Sequence, residues 1–311
     1  MNVSPQPAHC LLCHKTKRIR SAGFRQGYKQ VGRDSLSLTW WECEDCSGWF
    51  VWPVPTPSEI ESHCNRANYN DPSQARVVSE GKKTLHMRLL SQMAKWTAPG
   101  RLLDVGCSFG EFMLLARADG WEPSGFDPYG PAAALVAQKG FDVRCEWVLE
   151  KAGFLDRHFA AVTAIDSFYY VWNPYKTLQT FHDLLLPGGV LAMRVTNKHA
   201  MLSLARCLSM PGEGRDARLT AILKGQFHSI GVNRLEEILR GIGFDRVEIE
   251  PFATTAQWNT LSVRTRAAYS MAQVLYTATF GKVNLSPGIL LFAQKKLYGI
   301  TQSDAPHACP S

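Results

Sequence analysis

Two groups of side chains in this chain have the type and spacing to do chemistry. The first is four cysteines in two C-x-x-C pairs, Cys10 with Cys13 and Cys43 with Cys46. Each pair fits a tight knuckle turn that puts two thiolates on one face, and two knuckles supply four sulfurs for tetrahedral zinc. With four sulfurs such a site has no open coordination position, so its expected role is structural. The alternative is four buried free cysteines; a redox pair needs only one C-x-x-C. The second group is Asp104, Gly106 and Gly110 in RLLDVGCSFGEF, residues 101–112. A short apolar run, an acid, two glycines and a helical pattern make a strand, a glycine-rich turn and a helix. Glycine lets a ligand approach the backbone closely, and the helix start points free N–H groups at it.

The chemistry of this turn is narrowed by what it lacks. No G-K-[ST] closes it, which excludes a Walker phosphate loop, and it does not read G-x-G-x-x-G. A carboxylate at the strand end repels a pyrophosphate and attracts an ammonium or hydroxyls. The implied ligand carries a cation and a ribose.

The elements that must position these groups follow from the pattern. Proline-rich residues 53–57 form a stiff connector, and Ser58 with Glu61 fits a capping box. A long helix is expected from Ser73 to Trp96, with Val77, Leu85, Leu89, Leu90 and Met93 on one side. Strands are expected at 102–105, 123–126, 141–145, 160–165 and 190–195. Helices at 111–118, 131–138 and 174–185 alternate with them. Asn233 is read as the cap of a helix through Arg240. Strands at 244–250 and 289–294 complete the set. This alternation predicts an α/β fold with a doubly wound, mostly parallel seven-stranded sheet, whose ligands bind at the carboxyl ends of the strands. The expected organisation is a zinc-ribbon module at 1–57, a helical linker and cover at 58–100, and a cofactor domain at 101–300. Insertions fall at 198–226 and 251–287, and 301–311 forms a tail.

Bulk properties set the outer limits. The 311 residues carry a net charge of +7, a mild bias that permits an anionic partner without demanding one. No run approaches the roughly 20 apolar residues of a membrane span. The first residues show no secretory pattern, and the C-x-x-C pairs suit a reducing compartment, so the expected location is cytoplasmic. Lys15, Lys17, Arg18, Arg20, Arg25, Lys29 and Arg33 lie between the cysteine pairs. They read either as a phosphate-binding patch or as a solvated ribbon surface. Trp40, Trp41, Trp49, Phe50 and Trp52 read either as a stacking platform or, as is expected here, as residues that pack the ribbon onto the larger domain.

At this point the chain resembles the class I S-adenosylmethionine-dependent methyltransferases, over roughly residues 69–295. D-V-G-C-S-F-G matches the first motif of that family, D-x-G-x-x-x-G. Gly125-Phe126-Asp127-Pro128 matches the acid that binds both ribose hydroxyls, and Leu186-Pro187-Gly188-Gly189 matches a turn into the fifth strand. HSIGVNRLEEILRGIGF, residues 228–244, matches a late segment of one subgroup. The cysteine ribbon followed by P-T-P-S-E-I, residues 55–60, looks like bacterial methyltransferases of sugars, polysaccharide precursors or secondary metabolites.

The resemblance implies S-adenosyl-L-methionine as cofactor. Asp104, Gly106, Cys107 and Gly110 would surround its methionine part, Asp127 and Pro128 its ribose, and Cys145, Glu146 and Trp147 its adenine. Asp166 and Ser167 would border the methionine end, and Tyr69 would cover the site. Where the subgroup reads D-x-x-E-H-x-x-x-P, this chain reads DSFYYVWNP, so Tyr169 and Tyr170 replace the Glu-His pair. Tyr170 is either an acid–base group or an aromatic wall of the acceptor pocket. His228 is the next candidate base, ahead of His182 and His199, or else a structural histidine. The expected activity is methyl transfer to a small-molecule or glycan-precursor acceptor. The alternatives are an RNA methyltransferase guided by the basic ribbon, and a non-catalytic regulator that retains the fold. The residues leave the acceptor atom and the oligomeric state open.

Overall fold

The computed structural model describes residues 6–16, 18–28, 36–56, 72–199, 201–202, 213–223, 225–252 and 262–297. The proposed cover Tyr69, the capping box at Ser58 and the tail at 301–311 lie outside the described residues.

The N-terminal part is a three-stranded antiparallel meander. It comprises β1 (Ile19–Tyr28), β2 (Leu36–Cys43) and β3 (Trp49–Trp52). The long gap between the cysteine pairs is absorbed by the β1–β2 hairpin, whose register runs from Ile19 opposite Cys43 to Tyr28 opposite Leu36. Helix α1 (Pro72–Met93) follows, close to the span expected from its apolar spacing.

Alternation then begins with β4 (Arg101–Val105), α2 (Glu111–Ala118), β5 (Glu122–Phe126), α3 (Gly130–Gln138) and β6 (Asp142–Arg144). It continues through β7 (Phe159–Ile165), α4 (Pro174–Leu184) and β8 (Leu185–Thr196). The last part comprises α5 (Glu213–Leu223), β9 (His228–Ser229), α6 (Val232–Ile242), β10 (Phe244–Pro251), α7 (Val263–Ala278) and β11 (Gly288–Lys295).

Seven strands form one sheet in the order β10-β11-β8-β7-β4-β5-β6. β11 runs antiparallel to both its neighbours, and the β4–β5, β4–β7, β5–β6 and β7–β8 pairs are parallel. The central strands are buried on both faces, as parallel strands flanked by helices require. Leu102, Ala161, Ile165, Leu290 and Phe292 face Leu85, Leu89 and Met93 of α1 and Trp96 just after it. Leu103, Val162, Leu191 and Leu291 face the other way, toward Leu178, Phe181, Leu235 and Leu239 of α4 and α6.

Two local expectations need correction. Leu186-Pro187-Gly188-Gly189 is not a free turn before a strand. It lies inside β8, where the pairing with β7 slips between Phe159–Leu185 and Ala161–Val190. Asn233 is not a cap: α6 begins at Val232, after Gly231, with no side-chain cap.

The meander does not stand apart from the larger unit. Its edge strand β3 pairs antiparallel with β9, Trp49 opposite Ser229 and Phe50 opposite His228. The Val51 amide donates to the Phe227 carbonyl at 3.0 Å, and the Tyr175 amide to the Leu11 carbonyl at 3.1 Å. Cys10, Leu11, Leu12, Trp41 and Phe50 belong to the same apolar cluster as Phe181 and Leu235. Trp40, Trp49 and Val51 pack with Leu202, Leu219, Leu223 and Phe227. The tryptophans therefore join the two parts, as a module too small for a core of its own requires.

Candidate functional site

Four sulfurs and one sheet edge carry the chemistry. The sulfur atoms of Cys10, Cys13, Cys43 and Cys46 all lie within 4.8 Å of one another. Cys10 and Cys46 are 3.7 Å apart and Cys13 and Cys43 3.9 Å. A tetrahedron with metal–sulfur bonds of about 2.3 Å has edges of about 3.8 Å, so the four are positioned to bind a zinc ion. Hydrogen bonding among the sulfurs drives the Cys10 and Cys46 thiols up and Cys13 down. Four thiols this close share protons that a divalent cation would displace.

The glycine-rich turn sits at the carboxyl ends of β4 and β5. The Gly106 and Cys107 amides both donate to the Phe126 carbonyl, at 2.7 and 3.1 Å, which folds the turn over β5. Gly106 has φ 81°, and a Cβ there would fall 2.3 Å from the Ser167 Cβ. Only glycine serves both demands. Ser167 lies beneath the turn, its hydroxyl donating to the Val105 carbonyl. Gly110, at φ 76°, packs on Val136. Cys107 fills the space over Gly125, and burial pushes its thiol up, as expected of a small filler residue. Helix α2 starts at Gly110 with no side-chain cap, which leaves its first amides to a ligand.

Two carboxylates flank the turn. Asp127 is buried; one oxygen accepts the Ser108 amide at 2.8 Å and the other the Tyr129 amide at 2.9 Å. Each oxygen keeps a second lone pair, so the carboxylate is fixed in place and still able to accept two hydroxyls. Burial raises its pKa against those two bonds. Asp104 lies deeper, under the turn, and accepts the Thr163 hydroxyl at 2.7 Å. Burial lifts its pKa to about 7. Asp104 presents almost no surface.

Asp166 ends β7 in left-handed backbone, φ 57°. It pairs with Arg194 of β8 and, at 3.1 Å, with Lys82 of α1. His86, one turn after Lys82, is buried against Phe112, and its Nδ1 has no hydrogen-bond partner among the described residues. Burial, with Lys82 adding to it, lowers the His86 pKa to about 4. Lys82, His86 and Arg194 were missed in the sequence; the one signal is the i, i+4 spacing of Lys82 and His86 beside the apolar stripe of α1.

The remaining predicted residues fall into two places. On the adenine side the Cys145 thiol is 3.6 Å from the Pro128 carbonyl, which joins those two sites, and Glu146 is exposed. Trp147 stacks on Trp172 at 6.4 Å and leads toward the tryptophans of the meander. Tyr170 closes a short turn after β7, with Tyr169 at 4.6 Å and Phe227 edge-on at 6.3 Å. His228 sits in β9, buried, with Nε2 2.8 Å from the Phe168 carbonyl and the Phe168 ring edge-on at 5.0 Å. A carbonyl only accepts, so Nε2 is the donor. Burial lowers the His228 pKa to about 4.

On the meander, Arg18 pairs with Asp45 at 2.9 Å, and Arg20 with Glu42 at 3.0 Å and Glu44 at 3.5 Å. Two cations of the basic stretch are thus engaged by acids around the second knuckle. No described helix is long and apolar enough to cross a membrane.

Comparison with known proteins bears on this geometry. A family model described as a methyltransferase domain matches residues 80–249, more than half of the chain. Phosphoethanolamine N-methyltransferase 2 of Haemonchus contortus, solved with S-adenosyl-L-methionine, gives a TM-score of 0.54 at 13% identity, covering 80% of this chain and 62% of that one. A SAM-dependent methyltransferase of Thermotoga maritima, a possible histamine N-methyltransferase, gives 0.49 at 13% identity over 74% and 97% of the two chains. No curated protein matches the chain in sequence. At these identities structural likeness speaks to fold alone.

Proposed function

The chain belongs to the methyltransferase-domain family, and on that premise we propose that it methylates a small-molecule or glycan-precursor acceptor. The observation that supports the cofactor part of this reading is Asp127, fixed by the Ser108 and Tyr129 amides with two lone pairs to spare; the acceptor part rests on the aromatic side chains of Tyr169, Tyr170 and Phe227.

S-adenosylmethionine, when bound, supplies a methyl group already activated by its sulfonium. What remains for the chain is positioning, which is mainly a proximity effect. Asp127 takes the ribose hydroxyls, and Pro128 and Cys145 through Trp147 border the adenine. The turn from Gly106 to Gly110 admits the methionine part, with Asp104 and Asp166 offering negative charge toward a cation. Lys82 and Arg194 hold Asp166 and bring positive charge to the same end, where an α-carboxylate has to be matched. Tyr169, Tyr170, Trp172 and Phe227 wall the acceptor side and exclude water from it. Tyr170 is the remaining candidate to take a proton from the acceptor. His228 is better read as a brace, because its Nε2–H holds the Phe168 carbonyl, its ring packs edge-on against Phe168, and its backbone pairs with Phe50 of β3. Arg18 and Arg20, engaged by acids, speak against the ribbon as an RNA guide.

The test is transfer of labelled methyl from S-adenosylmethionine to a panel of nucleotide sugars, small metabolites and RNA. Label on a small acceptor is expected. Label on RNA alone would replace this reading with the RNA one. No transfer, together with no cofactor binding, would leave the fold as a non-catalytic scaffold.

A further inference from the structure

Helix α7 is an unusual use of apolar side chains. It leaves the sheet after Pro251 at the carboxyl end of β10, and the chain returns at Gly288, opposite Thr196 of β8. The Asn197 side-chain amide donates to the Asn284 and Ser286 carbonyls at 2.9 and 3.0 Å, which ties the segment to the edge that carries the site. One side of α7 is anchored by buried Ala272 and by the Tyr276 hydroxyl, 2.9 Å from the Ile249 carbonyl. The other side faces water with Val263 72% exposed, Met271 63% and Val274 65%; Ala267, Leu275 and Ala278 are also exposed. At 3.6 residues per turn these six positions share a stripe roughly 120° wide.

The end of the helix adds a second, independent observation. Gly281 N–H bonds the Tyr276 carbonyl at 2.8 Å, which leaves Phe280 as the residue just past the helix in left-handed backbone, φ 50°. That position favours glycine, and a bulky residue there marks a constraint other than the fold. Phe280 is 94% exposed, the highest value among the large hydrophobic residues described, and Val283 and Leu285 beside it are exposed as well. Charge sets the partner. Residues 262–285 contain no aspartate or glutamate and carry Arg264, Arg266 and Lys282; the nearest acids, Glu248 and Glu250, lie on β10 near Tyr276 and pair with Arg246 and Arg88.

We propose that the α7 stripe and the Phe280 turn dock onto an anionic lipid surface, the apolar residues entering the headgroup boundary and the basic residues meeting the phosphates. An apolar stripe on a segment whose own charges are all basic is the composition such a surface binds. Two copies of this chain would bring two faces of the same sign together, which disfavours self-association here. Because the segment is tied to the carboxyl edge of the sheet, docking turns the site toward the bilayer.

The experiment is sedimentation of the full chain with vesicles of phosphatidylcholine alone and mixed with phosphatidylglycerol. Binding is expected on the mixed vesicles, falling about fivefold in Lys282→Gln and lost in a Met271→Ser, Val274→Ser, Phe280→Gly triple variant. Phe280→Gly alone relieves left-handed backbone, so its melting temperature should be equal or higher while its binding falls; loss of binding is then not loss of fold. Equal binding to both vesicle types, or none to either, overturns the proposal. So does a concentration-dependent dimer that Phe280→Gly dissociates, which would make the stripe an interface between copies.

Discussion

The two halves of the sheet solve the same task by different means. On the β4–β5–β6 side the candidate site is made by contiguous chain: Asp104, Gly106, Ser108, Gly110 and Asp127 lie within one strand–turn–helix–strand unit, and backbone amides do the fixing. On the β7–β8 side it is assembled from distant segments. Lys82 of α1 reaches Asp166, Arg194 comes from the next strand, and the aromatic wall is completed by Phe227, whose carbonyl is held by the meander. A locally built site can be moved between chains as a motif. A remotely built one depends on every segment that braces it, and here the cysteine meander is such a brace.

Removing the metal should break this comparison most visibly. Structural zinc contributes roughly 10 kcal/mol or more in isolated fingers, and here its loss would release β3 from β9. Chelation is therefore expected to expose the amides of Val51, Phe227 and Tyr170 in hydrogen exchange well before those of Gly106 and Asp127. Simultaneous exposure of both groups would show that the two halves are one cooperative unit.

A smaller effect concerns the buried acid of the local half. Asp104 is held at about 7 against an ordinary 3.8, chiefly by burial. A carboxyl raised in the fold contributes fully below its unfolded pKa, and that contribution is lost as pH rises through 7. The ligand-free protein should thus lose stability between pH 4 and 8, by up to about 4 kcal/mol from this group. Asp104→Asn, which can still accept the Thr163 hydroxyl, should flatten that part of a melting-temperature profile. An unchanged profile would place the titration elsewhere.

The smallest effect expected is at the meander surface. The Arg18 and Arg20 side chains are largely exposed, although Asp45 and Glu42 opposite them are not, so Arg18→Ala should change stability by no more than about 1 kcal/mol. Its effect on RNA retention in low salt should also be slight. A steep loss of RNA binding in this variant would reassign the meander from brace to guide.

What was legible in the sequence follows the same division. The central strands of the large sheet were legible because strands buried on both faces have little freedom of composition, and the outer ones because turn residues and helical patterns bracket them. The turn, Asp127 and the four cysteines were legible because glycine, carboxylate and thiolate are needed there as residue types. Lys82, His86 and Arg194 were not, since a basic residue on a helix or strand has no local mark of what it will meet across the sheet edge. The β3–β9 pairing was also hidden: two residues, His228 and Ser229, make too short a strand for any periodicity to show. The Pro-Gly-Gly stretch was misread as a free turn because proline and glycine punctuate chains; here they accommodate a slip of register inside β8.

The central claim is that Asp127 and the glycine turn hold S-adenosylmethionine, and calorimetry tests it directly. Wild-type protein should bind the cofactor, and Asp127→Ala, with an unchanged melting profile, should bind it at least about tenfold more weakly, as loss of hydrogen bonds to a charged group implies. Equal affinity in the two proteins, or no binding by the wild type, would contradict the account.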